Sequence, residues 1–276
     1  MRDTVRKYLM EEGIEYFSVL EYSACRELRP HLISRAEIEA RSVIIYLLPY
    51  FSEEGENISS YAVGIDYHLV TRRINSEITE RLSQKFPNNK FIGFGDHSPI
   101  DERHAALISG LGIRGDSGLL INEKYGTYVF IGEIVTDLEA SKEDLTPLTE
   151  QKRCIGCGKC KEACPTGILR GEGEDCLSAI TQKKGKLSEF EMNLMIEHNT
   201  AWGCDICQRV CPYNNAPEKT KVWDFLVDSV PHLTSVILGG MDEPEFERRA
   251  YAWRGRKTIM RNLIILENAN KNLQKQ

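Results

Sequence analysis

Eight cysteines, seven of them in two runs, are the residues best placed to do chemistry. Cys154, Cys157, Cys160 and Cys164 read C-x2-C-x2-C-x3-C-P within CIGCGKCKEACP, and Cys204, Cys207 and Cys211 read C-x2-C-x3-C-P within GCDICQRVCPYN. This spacing lets a tight loop offer thiolates to three corners of a four-iron cubane, while the cysteine before the proline serves a second cluster. Gly156 and Gly158 lie between the ligands, where wrapping demands positive φ. Cys164 is expected on a short helix that points its thiolate the other way. The second run lacks its first cysteine, and the isolated Cys176 in DCLSAIT completes a set of eight. The crossed pattern assigns Cys154, Cys157, Cys160 and Cys211 to one [4Fe-4S] cluster and Cys164, Cys176, Cys204 and Cys207 to the other. Zinc also accepts C-x2-C, but it has no need of the C-x3-C-P endings that recur in both runs. Cys25, in SACREL, is read as a plain buried thiol.

The remainder of the composition agrees with a metal role. The chain has 276 residues, 41% hydrophobic and 28% charged, with a net charge of −6. The charged N-terminal stretch MRDTVRKYLMEEGIEYF has no signal-peptide core, and no run is long and apolar enough to span a bilayer. A cytoplasmic location follows as the expectation, and thiols kept reduced there bind metal rather than form a disulfide framework. An acidic chain is not built chiefly to grip nucleic acid, since neutralising phosphate supplies most of that affinity. A local basic patch remains open at Arg248, Arg249, Arg254, Arg256, Lys257 and Arg261.

Around 150 residues precede the cysteines, and their pattern is mixed α/β. RSVIIYLLPY is a continuous apolar run that reads as a buried strand, and GTYVFIGEIVT reads as another. Val70, Ile74, Ile78, Leu82 and Phe86 recur at helical spacing. In GDHSPIDERHAALISGLG, Ser98, Pro99 and Asp101 predict a helix with Ser98 as N-cap, Pro99 first and Asp101 third, ending near Ile108 at Gly110. Asp96 then falls in the loop ahead of it. GLGIRG, 110–115, follows a helix rather than a strand, which rules out a dinucleotide fold. Its Gly110, Gly112 and Gly115 are candidates for close backbone approach to a bulky cofactor. The motifs divide the chain into 1–150, 151–216 and a mainly helical 217–276.

Taken together these stretches resemble the epoxyqueuosine reductase family, in a short form lacking most of the C-terminal helical repeats, related to the cobalamin-dependent reductive dehalogenases. The matching segments are YAVGIDYH (61–68), DHSPIDE (96–102), SGLGIRGDSGLLI (109–121), YVFIGEIVTDLE (128–139), CIGCGKCKEACPTGIL (154–169), DCLSAIT (175–181), WGCDICQRVCPYN (202–214) and the final RNLIIL. The resemblance implies an α+β architecture: a nitroreductase-like cobalamin-binding α/β domain over 1–150, a double-cluster ferredoxin-like domain over 151–216, and a C-terminal helical segment. It implies that Asp96, matching the first position of the family's D-x-x-P-x-x-E with Pro99 and Glu102, is the proton donor. Tyr67 and His68 fall in the family's cofactor motif. Where the family carries Trp and Lys-Asn after its GLG, this chain has Ile113, Asp116 and Ser117, so a positive charge becomes negative.

The implied activity is a cobalamin- and iron–sulfur-dependent reduction of epoxyqueuosine to queuosine in tRNA. Electrons would come from an external donor of flavodoxin or ferredoxin type, and tRNA would meet the C-terminal basic residues. Two alternatives stand beside it: a corrinoid-dependent reductase of a small molecule, and a non-catalytic electron-transfer or corrinoid-reactivating protein.

Overall fold

A computed structural model describes residues 1–273, so the last three residues of the expected 217–276 segment lie outside the described residues. The chain forms two compact units, each threaded from separate stretches. The first takes 1–50, 67–156 and 217–223; the second takes 51–66, 157–216 and the residues from 224 on. No helix among the described residues is long and apolar enough to cross a membrane.

The first unit is built on a four-stranded antiparallel sheet in the order β1-β2-β6-β3. Its strands are β1 (Phe17–Glu21), β2 (Ser42–Pro49), β3 (Phe91–Gly95) and β6 (Val129–Thr136), and the two-residue strands β4 (Ile113–Arg114) and β5 (Leu120–Ile121) form a separate hairpin. β2 and β6 are the two runs read as strands, and they occupy the centre, where both faces are covered. All eight residues of β2 are buried, as an apolar run without alternation requires. Tyr46 pairs with Gly132 across them. A Cβ at Gly132 would lie 2.2 Å from the Tyr46 ring, so the glycine makes room for a buried tyrosine whose hydroxyl donates to Asn75 at 2.9 Å.

Helices cover both faces of this sheet. α1 (Arg2–Glu11) and α2 (Pro30–Arg35) precede β2 in the chain, and α3 (Tyr67–Lys85) packs on β3 and β6. α3 buries Val70, Ile74, Ile78 and Leu82, four of the five residues of the helical spacing; Phe86 lies one residue past the helix end and is half-buried. On the other face α4 (Glu102–Ile108) packs Ala105, Ala106 and Leu107 against Val43, Ile45, Leu47 and Val135.

α4 starts later than its sequence suggests. Its N-cap is Asp101, whose carboxylate accepts from the His104 N–H at 3.0 Å; Ser98 does not cap it. The residues between are committed elsewhere. The Pro99 carbonyl accepts from the N–H groups of Leu28 and Arg29, and the Asp101 N–H donates to the Arg26 carbonyl. An extended bridge thus occupies the positions that would have formed a first turn. The helix does end at Ile108, and Gly110 follows with φ +73°.

The second unit carries α5 (Lys159–Glu162), α6 (Leu177–Thr181), α7 (Glu189–Glu197), α8 (Ile206–Arg209), α9 (Ser235–Gly240), α10 (Glu243–Glu247) and α11 (Arg256–Leu273). Its core gathers Trp202, Tyr251, Phe246, Leu194 and Met195 around Ile259, Leu263 and Leu266 of α11. Buried Asn262 of α11 donates to the carbonyls of Thr181 and Ala201 at 2.7 and 2.8 Å, which fixes the segments on either side of the stretch leading into the second cysteine run. Asp205, inside that run, accepts from the Ser60 N–H at 2.6 Å and from the Ser59 hydroxyl.

Candidate functional site

Asp96 sits one residue beyond the end of edge strand β3, where the chain turns from the α3 face of the sheet toward the α4 face. Its φ is +53°, a conformation that Asp and Asn tolerate better than most residues. One carboxylate oxygen, Oδ2, accepts from the Tyr67 hydroxyl and lies 3.0 Å from His68 Nε2. Both donors belong to the first turn of α3, so the helix start is aimed at the end of the strand. Tyr67 in turn stacks on Phe130 of β6, with centroids 3.8 Å apart, and Phe130 meets Tyr50 at 4.5 Å. Partial burial pushes the Asp96 pKa up, but the hydrogen bonds from His68 and Tyr67 outweigh it and hold the carboxyl below its ordinary value. Asp96 therefore rests as a carboxylate at neutral pH.

A cavity of about 400 Å³ opens beside it, lined by Tyr67, His68, Thr71, Arg72, Asn75, Asp96 and His97 among others. That is within the range of small-molecule sites. Gly93 and Gly95 form part of its wall, and a Cβ at Gly93 would lie 2.4 Å from that of Asn75. The glycines thus let strand β3 press against α3 beneath the cavity floor.

Two further carboxyls lie on the α4 side. Glu133 of β6 is fully buried, and its Oε1 is 2.6 Å from the Ser98 hydroxyl. Glu102 opens α4. Burial raises Glu102 to about 7, with the Asp96 charge adding to the effect, and raises Glu133 to about 8. In the sequence Glu102 stands out only as part of a motif, and Glu133 does not stand out at all. Its one signal is a lone glutamate in the apolar run VFIGEIVT.

No disulfide joins the cysteines among the described residues. Gly156 and Gly158 have φ of +65° and +78°, as the wrapping loop requires. The short helix of the first run carries Cys160, and Cys164 lies just past its end rather than on it. The second run repeats this, with Cys207 on α8 and Cys211 beyond. Burial raises the Cys204 thiol to about 11, and charge on Cys176 and Cys164 adds to this. Burial likewise raises Cys207 to about 12, with Cys204 and Cys176 contributing. Mutual repulsion of this kind needs proximity, so Cys164, Cys176, Cys204 and Cys207 are electrostatic neighbours, and Cys160 of the other set and Asp205 act on Cys207 as well. Thiols that repel as anions are the donor set a cationic iron centre neutralises. Burial also pushes Cys164 up, but N–H groups of Leu169, Thr166 and Gly167 and the Thr166 hydroxyl pull it lower overall. Such donors to sulfur tune a cluster's potential. Among the described residues no three or more His, Cys, Asp or Glu converge as the ligands of a single metal ion do. A cubane takes its thiolates at separated corners.

Other expected residues fall elsewhere. Gly110, Gly112 and Gly115 do not line the Asp96 cavity; they belong to the turn and hairpin after α4. A Cβ at Gly112 would meet the Ile121 carbonyl at 2.6 Å, and one at Gly115 the Leu119 carbonyl at 3.0 Å. Their hairpin borders a second cavity of about 430 Å³, with Arg26, Arg103, His104 and Arg114 in its wall. Cys25 is buried, and burial raises its thiol to about 12. Most of the C-terminal arginines are engaged internally. Arg249 donates to the Asp228 carbonyl, Arg256 to that of Leu238 at 2.6 Å, Arg261 to that of Gly185, and Arg248 pairs with Asp228 at 2.8 Å. Arg254 instead lies 3.8 Å over the ring of Trp253, which is 56% exposed, and Lys257 is exposed nearby.

A family model described as a 4Fe-4S double cluster binding domain matches residues 153–214, and one described as Epoxyqueuosine reductase QueG, DUF1730, matches 33–96. The epoxyqueuosine reductase of Listeria monocytogenes is 32% identical over 281 residues, which cover 94% of this chain and 72% of the relative. The chain belongs to the epoxyqueuosine reductase family. The epoxyqueuosine reductase of Gloeobacter violaceus is likewise 32% identical, over 75% of this chain and 69% of its own. Two solved epoxyqueuosine reductases share the fold. The one from Streptococcus thermophilus has a TM-score of 0.76 at 22% identity, covering 96% of this chain and 80% of its own. A crystal structure with an epoxyqueuosine-modified tRNA stem loop has a TM-score of 0.77 at 23%, with the same coverage. As a family member the chain is an oxidoreductase with a mixed α/β fold and a ferredoxin-like double-cluster domain.

Proposed function

We propose that the chain reduces epoxyqueuosine to queuosine in tRNA, with two [4Fe-4S] clusters and cobalamin as cofactors. The observation that carries this reading is Asp96, held by Tyr67 and His68 at a cavity in a chain that also carries the double-cluster domain. The names of the relatives support the substrate, and the related structure with an epoxyqueuosine-modified tRNA stem loop supports tRNA as its carrier.

The wall around Asp96 suits the reactive face of a corrin. The Tyr67–Phe130 stack offers an aromatic surface to a flat macrocycle, and a half-exposed carboxyl stands beside it. When bound, cobalamin supplies a strongly reducing metal centre that the clusters recharge one electron at a time. The chain's own residues then handle the proton. Asp96 takes it up and presents it to the departing oxygen. Tyr67 and His68 hold the carboxyl in place and stabilise the anion left behind. A general acid so positioned contributes about 10²–10⁴-fold. The eight cysteines divide between the clusters in the crossed order, and a flavodoxin or ferredoxin supplies electrons in the cytoplasm. Residues 1–150 act as the cofactor-holding body, 151–216 as the electron conduit, and 217–276 as the helical segment that meets tRNA. There Arg254 and Lys257 are the basic residues on offer, with Trp253 as a stacking surface of the kind single-stranded RNA uses.

The test is rescue. The chain is expressed in cells lacking their own epoxyqueuosine reductase, and the modified nucleosides of digested tRNA are separated by mass. Appearance of queuosine at the expense of epoxyqueuosine is expected. Unchanged epoxyqueuosine with soluble, cluster-loaded protein present would reject the assignment.

A further inference from the structure

Turning an epoxide into an alkene and water consumes two electrons and two protons. The clusters account for the electrons. Asp96 carries at most one proton, so a second source is required, and the first unit contains one. Behind Asp96 the sheet and α4 enclose two carboxyls whose outer oxygens, Glu102 Oε2 and Glu133 Oε2, are buried and have no hydrogen-bonding partner among the described residues. An ionised carboxylate left without partners is far more costly to bury than a neutral acid. Glu133 occupies the middle of β6, directly opposite Phe94 of β3, two residues before Asp96. Ser98, two residues after Asp96, has its hydroxyl 2.6 Å from Glu133 Oε1 and 2.8 Å from the Ile100 carbonyl, and it accepts from the Ile100 N–H at 3.0 Å. The one hydroxyl hydrogen is shared between the Glu133 carboxyl and the Ile100 carbonyl, so Ser98 serves Glu133 only in part.

We propose that Glu102 and Glu133, with the Ser98 hydroxyl beside them, form a buried proton store that recharges Asp96 within a single turnover.

Asp96, a carboxylate at rest, takes up a proton from solvent as substrate closes over it, gives that proton to the epoxide oxygen as the first C–O bond opens, and becomes a carboxylate again. Glu102 passes its proton to Asp96 and becomes the anion. Asp96 delivers that proton as the second C–O bond breaks, so the oxygen leaves as water and the two carbons keep the double bond. Glu133 restores Glu102, and solvent at the half-exposed Asp96 refills the store after product departs. Substrate in the cavity strips water from Asp96 and draws its proton affinity toward that of Glu102. Neither glutamate touches substrate; both are positioning residues that act through Asp96.

The surroundings favour this state. Glu102 feels Asp96 and Asp101 as like charges and Arg103 and Arg29 as opposite ones. Around Glu133 the titratable neighbours are Glu102, Tyr22, Cys25 and Tyr46, with no cation acting on it among the described residues. Burial keeps both acids protonated near neutrality, at about 7 and about 8.

This inference rests on the proposed reduction, and its test separates the two. Infrared spectra of the full-length protein without added cofactor are recorded between about pH 5 and pH 9, across the range in which perturbed acids titrate. Two un-ionised carboxyl bands are expected to fade over that interval, one missing in Glu133→Gln and the other in Glu102→Gln. Single-turnover rates of the loaded enzyme are then compared. In either variant the ratio of the rate near pH 6 to that near pH 8.5 should grow by about tenfold, below the full worth of a proton transfer because Asp96 itself remains. Absence of un-ionised carboxyl bands near neutrality, or variant pH–rate profiles that superimpose on the wild type, would overturn the store. Should Glu133→Gln fail to fold, the wild-type spectrum and Glu102→Gln decide alone. An inert wild type with both bands present would reject the reduction and leave the store standing.

Discussion

Replacing Asp96 by asparagine separates the proton from everything else the side chain does. The backbone at this position has φ +53°, which asparagine adopts as readily as aspartate, so the loop keeps its course. Both neighbours of Asp96 converge on one oxygen, Oδ2, from the Tyr67 hydroxyl and from His68 Nε2 at 3.0 Å. An amide oxygen accepts two hydrogen bonds, so the substituted side chain retains both partners, with the charge-assisted part of their strength lost. The transferable proton is gone. A general acid is worth about 10²–10⁴-fold, or about 2.7–5.4 kcal/mol in the barrier at 1.36 kcal/mol per decade. Asp96→Asn is therefore expected to keep its iron, sulfide and cobalamin content while single-turnover reduction slows by about 10²-fold or more. The assay is anaerobic and starts from fully reduced enzyme, so electron supply does not limit it. Wild-type turnover in this variant would refute the role of Asp96, and loss of cofactor would show that the carboxyl serves binding instead.

Asp101→Ala should cost about 0.5–2 kcal/mol of stability through loss of the cap on α4, with turnover retained; denaturant unfolding checks this, and an unchanged midpoint would contradict the cap. Cys176→Ala should remove iron from one cluster only, leaving about half the iron and the spectrum of the other; loss of both would argue against the crossed ligand sets. Asp144 is held at about 2, first by the Arg2 N–H at 2.8 Å. Its contribution to stability is complete above its ordinary 3.8 and is lost as pH falls toward 2. Asp144→Asn should flatten the acid limb of the stability curve in that window, as followed by unfolding at a series of pH values.

The sequence was most legible where chemistry or burial constrains a short stretch. The cysteine spacing led to the double-cluster domain, and Gly156 and Gly158 take the positive φ that wrapping demands. β2 was readable because a strand buried on both faces is apolar throughout, β6 because its run is apolar apart from Glu133 and its terminal Thr136, and α3 because its stripe of four buried residues is regular. What failed was governed by distant partners. Ser98 looks like a helix cap, but its hydroxyl is engaged by Glu133, 35 residues away. The basic C-terminal cluster looks like a phosphate patch, yet Arg249, Arg256 and Arg261 end on backbone carbonyls that no local pattern reveals. The compact units are likewise threaded: residues 51–66 join the cysteine-bearing unit and 217–223 the sheet. A division drawn along the chain has no means of expressing that. Asp96 was singled out by its motif, whereas the pairing of Tyr67 and His68 on one of its oxygens required the structure.

The central claim is the reduction itself, and it is tested most directly with purified components. Protein loaded anaerobically with iron, sulfide and cobalamin is reduced and mixed with tRNA carrying epoxyqueuosine, and the nucleosides are analysed by mass after a single turnover. The account predicts a product lighter by one oxygen, formed in proportion to enzyme and absent without cobalamin. Intact epoxyqueuosine after reaction with enzyme whose clusters and corrinoid are demonstrably reduced would contradict it.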